Sequence, residues 1–554
     1  MDSLDRLIEL DAISRLRRQD PTLFGEDEAD RELAAHSLGW THIAHSSGEM
    51  VAQLRSAADK LTGAYLTDVV LLGMGGSSLA ALVIGGVLGG QLDRPKLHVL
   101  DTTCPHTVDQ AIANLDPATT LYLVSSKSGG TIEPNSLYAI FRGVANNLMG
   151  AEAAGQRFIA LTDPGSPLED LALAQLFHTL VETPEDVGGR FSALTAFGLL
   201  PAALAGVEIE LLVGRARHME TGCDMDAEEN PAAGLAAFIA DQHAEGRDKL
   251  TLVTSPELRS FGLWVEQLVA ESLGKDGVGV VPVVDLTDDL PQGFGADRAI
   301  VVVRFKDDER LAEWVPKLAH MAPLGELVLR DGYDVGGEFV RWSHAVALLG
   351  PLLGVNPFGQ PNVQAAKDAT AVALAGELTL PEPSGCTPDG VMLTFAGSLP
   401  DPGHNEPSLS AALGHALAAV RPDDYLALLA FLPEEPGLIG SLAAAVPQVS
   451  AAMGAAATFE LGPRYLHSTG QLHKGGPDTG VFVMITTRDA ADVPVPDKPY
   501  TLRELFRAQS DGDLSALVTA GRRVLHVDLP DSSAQSIEAF SHALLDAAGV
   551  RWEA

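Results

Sequence analysis

Cysteine is scarce in this 554-residue chain: Cys104, Cys223 and Cys386 stand far apart, with no CxxC spacing. That argues against a disulfide framework or a thiolate zinc site and fits a reducing cytoplasm. Positive charge is scarce as well. Lys and Arg total 37 against 74 Asp and Glu, a formal net charge of -37. Binding to a phosphate backbone needs a basic footprint, so no nucleic-acid partner is expected. An anionic ligand would have to be held by cations at particular loops, inside a repelling field. The acidity reads as a general solubility surface, with a saline interior as the alternative. The N-terminus, Met1-Asp2-Ser3-Leu4-Asp5-Arg6, lacks a basic segment followed by an apolar one, which predicts no secretory signal and a cytoplasmic location. Long apolar runs are missing too. The most apolar stretch, Leu79 to Gly90, falls short of the roughly 20 residues that span a bilayer. It reads as a buried helix, and no membrane partner is expected.

Hydrophobic residues make up 46% and charged residues 20%, a globular composition, and the length predicts two to four domains. After about 50 residues of amphipathic helix and polar connection, a rhythm begins. Apolar strands are predicted at Asp68–Leu72, Leu97–Asp101, Leu121–Ser126 and Phe158–Thr162. Helical patterns follow the first three, at Ser77–Leu88, His106–Leu115 and Glu133–Asn147. Runs as apolar as Val69-Val70-Leu71-Leu72 indicate parallel sheets covered on both faces. The rhythm resumes after Pro231, with strands at Leu250–Thr254, Val278–Val284, Ala299–Arg304 and Leu327–Leu329 and long helices over Leu258–Leu273 and Glu338–Leu353. Pro381, Pro383 and Pro388, with Gly385 and Gly390, mark a linker. Beyond it, strands are predicted at Leu426–Phe431, Ala457–Leu461, Val481–Thr486 and Val524–Val527. The expected architecture is α/β: a helical segment over 1–50, doubly wound parallel-sheet domains over 51–215 and 216–380, and a smaller C-terminal α/β region over 381–554.

Two strand-to-helix loops stand out. The first strand runs into Gly73-Met74-Gly75-Gly76-Ser77-Ser78, where small residues let backbone N–H groups approach an anion and Ser77 can donate. A tight turn with a Ser cap explains the same residues equally well. The second is richer. Ser126-Lys127-Ser128-Gly129-Gly130-Thr131 places three hydroxyls, a cation and two glycines at the carboxyl end of a strand, where ligands sit in open parallel sheets. Capping a helix would need only one of those hydroxyls, so this loop reads as a phosphate site.

Together these loops resemble the two sugar-phosphate loops of the phosphoglucose isomerase family, whose halves are sugar-isomerase (SIS) domains. Three further segments match in the family's order. Gly188-Gly189-Arg190-Phe191-Ser192 resembles its GGR signature, and Arg190 taken alone would pass for a surface arginine beside a turn. Gln267-Leu268-Val269-Ala270-Glu271-Ser272-Leu273-Gly274-Lys275 resembles its Q-x3-E-S-x-G-K segment, whose glutamate is the catalytic base. Gln267 and Glu271 share one helix face. The surrounding Leu263, Trp264, Val265, Leu268 and Val269 predict burial, and burial at the end of a helix is expected to raise a carboxyl's pKa. Asn356-Pro357-Phe358-Gly359-Gln360-Pro361-Asn362-Val363-Gln364-Ala365-Ala366-Lys367 resembles the FDQ-x-GVE-xx-K signature. It departs at Gly359, Asn362 and Gln364 and keeps Gln360 and Lys367.

One element transfers differently. Family members carry a ring-opening histidine in a GQH context, between the base and the lysine helix, and place it across a dimer interface. Here that interval offers His344, in a helical context that reads as structural. The nearest likeness, Thr469-Gly470-Gln471-Leu472-His473-Lys474-Gly475-Gly476, follows the lysine. That loop and much of the third region look like the isomerase portion of transaldolase/phosphoglucose isomerase fusions, standing alone. His473 and His344 are the two candidates, and a homodimer is expected. His467 and His473 suggest a metal, but no third ligand clusters with them.

The resemblance implies an aldose–ketose isomerase of sugar phosphates that needs no cofactor and no metal. Gly76, Ser77, Ser126, Lys127, Ser128 and Thr131 would hold the phosphate, and Gln267 and Gln360 would contact substrate. Lys367 and His473 would open the ring, Glu271 would carry the proton and Arg190 would stabilise the enediolate. Two rivals stand beside this reading: a non-catalytic sugar-phosphate sensor, which would need the loops but no base, and an isomerase that also takes mannose 6-phosphate.

Overall fold

In a computed structural model, described for residues 2–61, 65–285, 289–291, 293–403 and 408–550, the chain folds into three β-sheets layered with helices. The first contains β1 (Asp68–Leu72), β2 (Lys96–Leu100), β3 (Thr120–Ser125), β4 (Phe158–Thr162) and β5 (Thr179–Glu182), all parallel, in the order β2-β1-β3-β4-β5. The second contains β6 (Lys249–Thr254), β7 (Val281–Val284), β8 (Arg298–Phe305) and β9 (Leu324–Leu329), also parallel, in the order β7-β6-β8-β9. The strand cores are buried because helices cover both faces, which is why the runs are continuously apolar rather than alternating. Among the described residues, five α-helices start with proline in their first turn, at Pro105, Pro167, Pro231, Pro361 and Pro436, where the missing N–H costs nothing.

The third sheet is the widest. It holds β10 (Gly385–Cys386), β11 (Met392–Gly397), β12 (Tyr425–Ala430), β13 (Ala456–Leu461), β14 (Gly480–Thr487) and β15 (Arg523–Leu529), in the order β10-β11-β15-β14-β12-β13. β10 and β11 run antiparallel at one edge. The proline- and glycine-rich stretch expected to be a plain linker therefore closes a hairpin, turning at Gly390 with φ +83. The strand expected from Val278 starts at Val281 because Lys275 and Val278 first exchange backbone hydrogen bonds across a turn.

The N-terminal helices and the first two sheets share one core, including Leu7, Trp40, Leu54, Leu71, Trp264 and Phe339. The third sheet uses both faces. One packs on helices through Leu442, Val449, Phe540 and Leu544. The other joins Phe431, Tyr465, Leu472 and Phe482 to Ala270, Val281 and Val283 of the second lobe. The Pro436–Met453 helix is long and apolar enough, by length and composition, to cross a membrane. Its Leu442, Ala445, Val446 and Val449 are buried against the third sheet. The Pro361–Leu374 helix packs along the Leu502–Thr519 helix, so the third region reaches back over the first two.

Candidate active site

The first sheet's order reverses between β1 and β3, and the crevice outside their carboxyl ends is where an open α/β sheet takes its ligand. Gly73–Ser78 and Ser126–Thr131 are the loops that line it. Ser125 Oγ donates to the Ser77 carbonyl at 2.7 Å and ties them together. Gly76 must be glycine, since an added Cβ would lie 2.1 Å from the Gly189 carbonyl oxygen. The GGR turn thereby docks on the first loop. Thr131 occupies the N-cap of the Ile132–Met149 helix but makes no side-chain cap hydrogen bond. Its Oγ1 instead accepts from Ser126 Oγ at 3.0 Å. Helix capping is thus not what this hydroxyl does, and the helix's first N–H groups remain an attractive place for an anion.

Beside this loop lies a cavity of about 370 Å³, within the size range of small-ligand sites. Its wall includes Ser128, Thr131, Glu133, Lys367, His467 and Gln509. His467 Nε2 lies 2.8 Å from Glu133 Oε1, and Gln509 Nε2 donates to the same oxygen at 2.7 Å. Thr103 Oγ1 in turn donates to Gln509 Oε1 at 2.5 Å, fixing the amide's orientation. Burial pushes the Glu133 carboxyl up, but His467 beside it and Lys367 farther off outweigh this and hold it below the usual carboxylate range.

The base-like helix spans Arg259–Leu273, and Glu271 sits buried in its last turn. The carboxylate is not isolated. Arg190 Nη1 donates to both Glu271 Oε1 and Gln360 Oε1 at 3.1 Å, its Nε donates to Ser272 Oγ at 2.8 Å, and its Nη2 donates to the Pro357 carbonyl at 2.6 Å. Burial lowers the Arg190 pKa, and Glu271 opposes that. Gln267 Nε2 donates to Glu271 Oε2 at 3.1 Å and to the His467 carbonyl at 2.7 Å, so one amide joins the Arg190–Glu271 pair to the cavity wall. Lys275 donates to the carbonyls of Asn356, at 2.8 Å, and Gly359, pinning the turn that carries Gln360. Burial, with Arg190 near, brings the Lys275 ammonium down to about 7.

Of the residues expected at the site, Ser128, Thr131 and Lys367 line the cavity, while Arg190, Gln267, Glu271 and Gln360 form one hydrogen-bonded cluster behind it. Lys127 goes elsewhere: its ammonium pairs with Asp163 and donates to the carbonyls of Pro184 and Glu185. Gly76, Ser77 and Ser126 shape the loops without lining the cavity.

His473 is a clear departure from expectation. It lies buried among Tyr425, Tyr465 and Phe482, with Nε2 3.4 Å from Glu460, and does not line the cavity. Its segment is a short helix, Gly470–Gly475, whose Gln471 clasps Asn362 and the Gly274 carbonyl. That segment braces the lysine helix against the end of the base helix. The approach is close: a Cβ on Gly274 would lie 2.5 Å from Leu472 Cα. His344 is also buried, with Nδ1 2.9 Å from the Val340 carbonyl and its ring edge-on to Trp40. Sequence reasoning missed Glu133 and Gln509 and weighed His467 only as a metal ligand. The Thr131-x-Glu133 spacing carried a signal, but an acid in a first helical turn reads as dipole compensation. Among the described residues, no group of three or more His, Cys, Asp or Glu could hold a metal ion.

The family model for phosphoglucose isomerase matches residues 43–283. The glucose-6-phosphate isomerase of Rubrobacter xylanophilus is 29% identical over 381 residues, covering 60% of this chain and 88% of that one. A hypothetical protein of Thermus thermophilus superposes with a TM-score of 0.58 at 26% identity, over 67% of this chain and 96% of its own. A glucose-6-phosphate isomerase of Chlamydia trachomatis gives 0.55 at 18% identity, over 68% and 86%, a likeness of fold.

Proposed function

We propose that this chain, whose residues 43–283 match the phosphoglucose isomerase family model, interconverts glucose 6-phosphate and fructose 6-phosphate through a cis-enediol, with Glu271 as the base. One observation carries the reading. A hydroxyl-rich loop, a lysine and a carboxylate-backed histidine face one cavity, and Gln267 links that wall to a buried carboxylate–guanidinium pair.

In this scheme the phosphate rests on Ser128 and Thr131 at the start of the Ile132–Met149 helix, with Lys367 across the cavity. His467 takes over the ring-opening role first expected of His473. It moves a proton between the anomeric hydroxyl and the ring oxygen, and Glu133 stabilises the imidazolium that forms. Glu271 then removes the C2 proton of the open aldose. The C–H electron pair becomes the C1–C2 double bond, the carbonyl π pair moves onto the C1 oxygen, and the C2 hydroxyl passes its proton to that oxygen, so the C2 carbonyl forms when C1 is protonated. Arg190 supplies the fixed positive charge for the developing enediolate. Returning the proton to C1 gives the ketose. Hydrogen moves as a proton throughout, so no redox cofactor is consumed.

Glu271→Gln tests the reading. The amide keeps the shape and the Gln267 contact but cannot accept the proton, so turnover should fall by about 10² to 10⁴-fold with ligand affinity nearly unchanged. Turnover within tenfold of the parent would remove Glu271 as the base.

A further inference from the structure

The third sheet has its own reversal. The chain passes from β12 to β13 on one side, then returns to place β14 and β15 on the other, so the crevice between β12 and β14 is the ligand position of this sheet. A cavity of about 600 Å³ opens there, against Phe431 just after β12, Thr486 and Thr487 at the end of β14, and Asp528 on β15. The isomerase scheme makes no use of it.

Its chemistry is selective. Three arginines, Arg488, Arg503 and Arg507, converge on this one hollow, set among the carboxylates of Asp489, Glu504, Asp511 and Asp528. Arg507 is rigidly aimed, with Nε 2.9 Å from Asp511 and Nη1 3.1 Å from Asp528. The other two are loosely tied. Arg503 reaches the carbonyls of Asp489 and Ala490 at 3.5 and 3.3 Å and the Asp492 carboxylate at 3.9 Å, and its side chain is 49% exposed. Arg488 bonds the Gly390 carbonyl and stands 3.8 Å from Asp528. Guanidinium forks suit phosphate oxygens. The carboxylates and threonine hydroxyls nearby suit sugar hydroxyls, and Phe431 and Phe506, edge-to-face at 5.4 Å, provide an apolar wall for carbon-bound hydrogens.

We infer that this cavity is a second binding site, for a small polyhydroxylated phosphate monoester. It shares its partition with the first cavity. Leu374 lines both, and the two packed helices between them carry Lys367 and Gln509 into the first while presenting Arg503 and Arg507 to the second.

The test is calorimetry on the full chain carrying Ser128→Ala and Thr131→Ala, in which the first cavity is disabled. The probes are glucose 6-phosphate, ribose 5-phosphate, fructose 1,6-bisphosphate and inorganic phosphate. At least one ester should bind with one site per chain and a dissociation constant below about 1 mM. Adding Arg488→Ala and Arg503→Ala should weaken it at least about tenfold, a loss of one charge-assisted contact or more. Arg503→Glu alone, at a half-exposed position, should do the same if the double change perturbs folding. In an otherwise parental background, these arginine variants should keep basal isomerase activity. Absence of binding by all three esters overturns the inference. So does inorganic phosphate binding as tightly as the esters, or ester binding that ignores the arginines. Because the site is counted by binding, failure of the isomerase reading leaves this result intact.

Discussion

Replacing Glu133 with glutamine isolates the part of the proposed mechanism that the tertiary structure contributes. Glu133 Oε1 is met by two nitrogens, His467 Nε2 at 2.8 Å and Gln509 Nε2 at 2.7 Å, at a site only 4% exposed. The amide oxygen can still accept from both, so the packing survives and the charge is lost. A hydrogen bond to a charged partner is worth about 1.5–3 kcal/mol and a neutral one about 0.5–1.5. The Gln509 bond exists before and after ring opening and largely cancels. The His467 bond strengthens only when the imidazole takes its proton, so the loss there is about 1.5 kcal/mol, roughly tenfold in the ring-opening rate. Exchange of the C2 proton in D2O, followed by NMR, provides the assay. Glucose 6-phosphate, which must open, should exchange about tenfold more slowly. A tetrose 4-phosphate, which has no hydroxyl placed to close a ring, should be nearly unaffected. Equal losses on both, or none on either, would refute the pairing of Glu133 with His467 as the ring-opening device.

The remaining predictions test the other assignments. His473→Leu removes one partner of buried Glu460, which keeps Thr458 and Thr469, and should lower stability by about 1–3 kcal/mol, while turnover per folded molecule is retained at low temperature; a selective loss of turnover without destabilisation would return His473 to the site. Changing Ser128 and Thr131 together to alanine should weaken 6-phosphogluconate binding about a hundredfold by calorimetry, since two donors to a charged group are lost; unchanged affinity would refute the loop assignment. Burial holds His344 at about 4, below its ordinary value near 6.5, so the unfolded chain takes the proton first. Its contribution to stability is therefore full above about pH 6.5 and is lost as pH falls toward 4. Melting temperatures of the parent and His344→Leu, compared across that window, should show a shallower acid slope in the variant, and parallel curves would contradict the assignment.

The local chemistry was legible in the sequence. Val69-Val70-Leu71-Leu72 read as a strand covered on both faces, and the glycine–hydroxyl loops after β1 and β3 pointed to the crevice because a strand's end and the next helix's start are contiguous in the chain. The face shared by Gln267 and Glu271 likewise follows from helical spacing alone. What decided the rest was docking. His467 meets Glu133 across 334 residues, Gln509 meets it across 376, and Lys127 is taken by Asp163 from the neighbouring strand's loop. No periodicity encodes such pairings. The two Glu133 pairings exist because the third sheet's apolar face closes on Ala270, Val281 and Val283, carrying one histidine to the cavity and sealing the other beneath it. Sequence proximity to a GQ motif favoured His473; the docking favoured His467, which lines the cavity while His473 packs on Phe482 and Glu460 away from it.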